Sequence, residues 1–131
     1  MKNLFILFLA LITLQSCSKS DDDSIKETEM DLTSFAGDFV SSAHPTSGKA
    51  SINKEKTVLS FTNFKTDTGP VLEVYLTTNT SVTNYISLGA LKGVNGNYEY
   101  TLPENIDYSV YSHVVIWCVD FKVNFGYAVL K

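Results

Sequence analysis

Hydrophobic and polar positions divide the chain into two regimes. Leu4 to Leu14 is apolar throughout apart from Thr13, whereas from about Phe35 onward apolar residues come in short runs broken by turn formers. The second regime reads as β-strands. Gly37 to Ser42 is a first short strand, ended by His44-Pro45-Thr46-Ser47-Gly48, a strong turn signal. Lys49 to Asn53 is a second. Thr57 to Phe61 follows, with Thr57, Leu59 and Phe61 on one face. After Asp67-Thr68-Gly69-Pro70, Val71 to Thr77 alternates, with Leu72, Val74 and Leu76 on one side and Glu73, Tyr75 and Thr77 on the other. That pattern predicts a half-buried strand with Tyr75 at its wet edge. Tyr85 to Leu88 is short. Asn95-Gly96 predicts a two-residue hairpin turn, because both positions tolerate φ > 0, and Tyr98, Tyr100 and Leu102 alternate after it until Pro103. One helical turn near Leu32 to Phe35 is the only departure from this β pattern.

The carboxyl end carries the core. Val114-Val115-Ile116-Trp117-Cys118-Val119 is apolar on both faces, as expected of a central strand covered on both sides. Phe121, Val123 and Phe125 then share one parity against Asp120, Lys122 and Asn124, and Gly126 predicts a bulge or bend before Tyr127 to Leu130. Short strands at fairly regular intervals give the expected fold: all-β, a single antiparallel β-sandwich or jelly-roll-like domain over residues 35–131. A chain of 131 residues leaves room for one such domain.

The amino-terminal run has a different purpose. Eleven helical residues rise about 16 Å, well short of a hydrocarbon core of roughly 30 Å, so the run is a signal sequence and not a membrane span. It ends in Leu14-Gln15-Ser16-Cys17, which resembles a bacterial lipobox. The expectation is a lipoprotein signal over residues 1–16, cleaved before Cys17, whose thiol carries an acyl chain of the palmitate type. Each buried methylene contributes about 0.8 kcal/mol, so two or more chains anchor firmly where one would not. Residues 17–34 then form the lipidated cysteine and an acidic, disordered tether. Asp21, Asp22, Asp23, Glu27, Glu29 and Asp31 crowd this stretch, and its few apolar residues cannot offset the entropy of ordering it. The tether spans at most about 55 Å extended and roughly 20–25 Å as a coil. Its acidic start looks like the segment that follows the anchor cysteine in surface-exported lipoproteins. The expected location is therefore the outer membrane, lipid-anchored, with the acidic run either directing export to the cell surface or serving as a solvated spacer, and with the membrane itself as one partner.

Composition narrows the chemistry. Ten basic residues, all lysine, face 14 acidic ones, for a net charge of −4. With no basic run anywhere, nucleic acid is excluded as a partner. Eight Phe, seven Tyr and one Trp suit pleated, half-buried surfaces. No phosphate loop, nucleophile elbow or haem-attachment motif occurs, so nothing marks a conventional enzyme or an intrinsic cofactor. The two cysteines are Cys17 and Cys118, and acylation of Cys17 leaves Cys118 as an unpaired thiol in an exported protein. The two histidines, His44 in the first turn and His113 at the start of the core strand, show no metal-ligand spacing.

Taken together, several stretches resemble the DM-thirteen domain family, often labelled an electron-transfer domain. They are Gly37-x-Phe39, His44 with Ser47-Gly48-x-Ala50, Leu59-x-Phe61-x-x-Phe64, Gly69-Pro70, Val74-Tyr75-Leu76 and Leu88-Gly89-x-Leu91-Lys92-Gly93. They continue with Gly96-x-Tyr98-x-Tyr100-x-Leu102-Pro103 and Val115-Ile116-Trp117-Cys118-x-x-Phe121-x-Val123-x-Phe125-Gly126-x-Ala128-x-Leu130. Val71 departs from the pattern, standing where the family often has an acidic residue. The resemblance implies a β-sandwich-like fold and a redox role, since such domains occur beside haem-binding and cytochrome-b-type domains. It implies Cys118 as the redox thiol, with His44 and Trp117 as supporting residues and a haem or metal carried by a partner. In a regular strand Trp117 points away from Cys118.

Two functional classes follow. One is a redox or electron-transfer module using Cys118; it requires an accessible thiol, helped by His44, His113 or a lysine from another strand. The other is a non-catalytic surface binding or adhesion module for a glycan or protein, contacted by exposed Tyr75, Tyr98, Tyr108 and Tyr111. A contiguous aromatic patch away from the thiol would favour the second.

Overall fold

The computed structural model describes residues 33–131. Eight strands follow one another: β1 (Thr33–Ser41), β2 (Ser47–Asn53), β3 (Val58–Lys65), β4 (Leu72–Thr77), β5 (Tyr85–Ala90), β6 (Asn95–Thr101), β7 (His113–Cys118) and β8 (Val123–Val129). They form one antiparallel sheet in the order β5-β4-β7-β8-β1-β2-β3-β6. The all-β antiparallel domain read from the sequence is thus found, its two layers being halves of one continuous sheet. β1 joins the halves. Its first part, through Asp38, pairs with β2, and its last part, from Phe39, pairs with β8. The two ends of the order, β5 and β6, are consecutive in the chain, so residues 91–94 bring the edges together and the sheet nearly closes into a barrel. Backbone bonds from Leu91 to Leu72 and from Thr66 to Val94 tie down this seam.

Alternation along each strand fills the interior. Ile52, Leu59, Phe61 and Phe64 from one half meet Leu72, Val74, Leu76, Val114, Ile116 and Cys118 from the other. Phe39, on the strand shared by both halves, sets its ring edge-on to Phe61 and Phe64, each at 5.0 Å. That geometry suits the aromatic quadrupole. The segment after β6 folds in Tyr108, which packs on Phe35 at 5.3 Å.

Several local expectations need correction. Residues 33–35 extend β1 and form no helical turn, because Phe35 pairs with Ile52 across the sheet. Thr33 and Ser34, read as the end of the tether, therefore belong to the domain. Asn95-Gly96 opens β6, opposite Lys65 and Phe64, and turns no hairpin; Gly96 (φ +144°) accommodates the irregular register there. Phe121 does not join Val123 and Phe125 inside, but sits 71% exposed in the β7–β8 turn. The bulge foreseen near Gly126 is present: Ile116 pairs with Gly126 and Trp117 with Asn124, leaving Phe125 as the extra residue. The signal sequence, the lipobox, Cys17 and the acidic run lie outside the described residues.

Candidate functional site

Cys118 is the last residue of β7, between Leu72 of β4 and Val123 of β8. Its parity turns the thiol into the barrel interior, where it is fully buried and unpaired with another cysteine. The expected accessible thiol is not found. The reason lies in the continuous sheet, whose far half covers a face that an open sandwich edge would leave free. The proposed helpers are engaged elsewhere. His44 Nδ1 lies 2.9 Å from Asp67 Oδ2, with its ring 3.8 Å from that of Phe125. His113 Nδ1 lies 2.9 Å from Ser112 Oγ, and burial pushes its imidazole below the ordinary histidine value. Behind His44, Thr46 Oγ1 bonds to the carbonyls of His44 and Phe125 and meets Thr66 Oγ1 at 3.0 Å. This web fixes the first turn against the β8 bulge. Among the described residues no group of three or more His, Cys, Asp or Glu side chains could hold a metal ion.

The outer face of β4, β5, β7 and β8 is built differently. Glu73, Tyr75 and Thr77 point outward from β4, and register sets them opposite Trp117, Val115 and His113 of β7. Tyr85 enters from β5, and its ring stacks on Tyr75 at 4.3 Å and 14°. On the other side Trp117 lies nearly parallel to Tyr75 at 6.4 Å. Three aromatic rings thus form a row outside the barrel. Tyr85 is 52% exposed and Trp117 half-buried, while Tyr75 between them is only 5% exposed. The expectation that Tyr75 lies at a wet edge fails because Tyr85 and Trp117 roof it. The Tyr75 hydroxyl donates to Glu73 Oε2 at 2.7 Å. Burial, reinforced by this carboxylate, holds the phenol protonated far above its ordinary value.

The row continues as a surface. Val115 faces outward yet is fully buried, in register between Tyr75 and Tyr127, and Tyr127 pairs with exposed Val40 of β1. Trp117 does lie on the face opposite Cys118, as strand parity required. Of the four tyrosines considered as contact residues, Tyr75 and Tyr108 are buried and Tyr98 and Tyr111 are half-buried. The aromatic wall is therefore made largely of other residues. Sequence showed that Glu73 and Tyr75 share a face; it could not show that Tyr85 and Trp117 flank them.

Chain direction adds a polarity. Thr33 pairs with Asn53, and Ala36 bonds to Lys131, so the domain is entered at the end where β8 finishes. Cys118 and the β7–β8 turn lie at the opposite end, where Val71, Val119 and Phe121 are exposed.

Fold and surface define a small, nearly closed antiparallel β domain that encloses its lone thiol and displays an aromatic wall. The chain belongs to the Electron transfer DM13 family, whose model matches residues 38–130, from the middle of β1 to the end of the domain. No curated protein and no solved structure matches the chain.

Proposed function

We propose that the protein is an envelope-anchored electron-transfer module that works against a haem-bearing or metal-bearing partner. The anchor in this reading is the acylated Cys17, on the outer membrane. The observation that carries the reading is the Tyr85–Tyr75–Trp117 row in a chain of an electron-transfer family. Stacked, partly exposed rings offer both contact area for a partner and an oxidisable path through the wall. The polarity of the domain agrees, since the tether joins one end and the exposed apolar turn occupies the other. A buried thiol suits neither disulfide exchange nor sulfenate chemistry, so such chemistry at Cys118 requires the domain to open.

The test is isolation of the full chain from its own membranes in mild detergent, followed by an absorbance spectrum. The expected result is a haem or metal chromophore that accompanies the parent chain and is lost from Trp117→Ala and Tyr85→Ala. Cys17→Ala should leave the membrane fraction. Chromophore-free protein from native membranes would sink the electron-transfer reading. Membrane fractionation of Cys17→Ala equal to the parent's would sink the anchor.

A second reading has two observations in its favour, the buried thiol and an aromatic wall on the face away from it. The exposed ring of Tyr85 and the half-buried ring of Trp117 also suit a sugar face, as in a non-catalytic surface binding or adhesion module. Retention of the parent chain on a glycan matrix, abolished by Trp117→Ala, would put this reading first.

A further inference from the structure

We infer that Tyr75 and Glu73 form a proton-coupled redox pair, in which Tyr75 gives up one electron while its phenolic proton passes to the Glu73 carboxylate. This rests on the electron-transfer reading and names the side chains that would carry the electron. A phenol that loses an electron becomes a strong acid, so its oxidation is easy only where a base already accepts its proton. Most tyrosines on a protein surface rely on water for this. Tyr75 does not. Its hydroxyl donates at 2.7 Å to a carboxylate two residues along the same strand, on the same face. Two neighbours hold the geometry. Tyr85 stacks on the ring at 4.3 Å, Trp117 flanks it at 6.4 Å, and Trp117 stands opposite Glu73 across the β4–β7 pair.

Burial matters to the chemistry as well. Tyr75 is 5% exposed, so the carboxylate is the nearest acceptor for its proton and a neutral phenoxyl radical there is shielded from bimolecular quenching. The balance is simple. The O–H bond of Tyr75 breaks, a new O–H bond forms on Glu73, and one electron leaves to a high-potential one-electron acceptor such as a high-valent haem of a partner. Net charge at the pair rises by one, from carboxylate plus phenol to carboxylic acid plus neutral radical. The return electron takes the proton back to the phenolate oxygen. Exposed Tyr85 and half-buried Trp117, the two ends of the row, are the entry and exit points for the electron, whereas Tyr75 is where it is held.

The experiment uses the purified full chain with no partner and, as oxidant, flash-generated tris(bipyridine)ruthenium(III). The parent should give the electron paramagnetic resonance signal of a neutral tyrosyl radical. Tyr75→Phe should lose most of that signal, and Tyr98→Phe should keep it. Glu73→Gln can still accept the hydrogen bond but not the proton. It should form the radical about a hundredfold more slowly, at the low end of what a positioned proton acceptor contributes. An unchanged radical yield in Tyr75→Phe, or a parent-like rate in Glu73→Gln, would overturn the inference. Because Tyr75→Phe preserves the ring stack, it should still carry the partner's chromophore through membrane isolation. Loss of the radical pair and loss of the docking surface therefore register in different measurements.

Discussion

Cys118 and Tyr75 exchange the roles that their local sequence suggests. A cysteine in a Trp-Cys motif invites a chemical reading, and a tyrosine beside a glutamate on an alternating strand invites a solvated one. The thiol is fully enclosed, and the phenol is roofed by two rings. For Cys118 the consequence is measurable. Native protein should react with an alkylating reagent only as fast as it unfolds. Cys118→Ser should lower stability by about 1–3 kcal/mol, because a hydroxyl costs more than a thiol to bury in a hydrophobic core. Cys118→Ala, which adds no polar atom, should cost less. Thiol labelling of the folded chain at the rate of a free cysteine would show that the barrel opens at this end.

At the scale of elements, β1 determines the architecture. It changes partners between Asp38 and Phe39, which lets one sheet wrap around a core in place of two sheets facing each other. The crossing leaves little room. A Cβ on Gly37 would fall on the carbonyl group of Val129, and backbone on that side cannot swing away as a side chain could. Gly37→Ala should therefore destabilise the domain by about 1–3 kcal/mol, the usual cost of overpacking. For a domain of this size each kcal/mol lowers the melting temperature by roughly 4–8 °C. A melting temperature equal to the parent's would mean that β1 and β8 part more easily than their pairing indicates.

For the whole molecule, pH dependence separates two groups at opposite chemical extremes. Burial holds His113 below the ordinary histidine value of 6.5, so the unfolded chain takes up this proton at a higher pH than the folded one. Stability is then undiminished above about 6.5 and falls as pH drops below it. Hydrogen bonds from Ser109 hold Asp107 below its ordinary value of 3.8, so its contribution is present at neutral pH and is lost only as pH falls below that. Thermal melts across this range should show a decline beginning near pH 6.5, and His113→Gln should remove that first decline while leaving the acid one. An identical profile for His113→Gln would assign the first decline to another group.

What the sequence by itself determined follows from short-range chemistry. Period-two alternation marked Leu72, Val74 and Leu76 as inward and Glu73 and Tyr75 as outward. Turn residues after Ser42 and around Gly69 marked strand ends. Parity placed Trp117 and Cys118 on opposite faces, and a doubly apolar run marked β7 as central. Each of these depends on neighbours within a few residues, which the chain order supplies. Tertiary structure decided the rest, because it depends on which strands lie side by side. Only closure of the sheet buries Cys118, and only the β5-β4-β7 order brings Tyr85 and Trp117 to either side of Tyr75. Val115 looks outward in the alternation and is nonetheless dry, because Tyr75 and Tyr127 from the two neighbouring strands flank it. A residue's face is written in its own strand; what covers that face comes from strands far away in the chain.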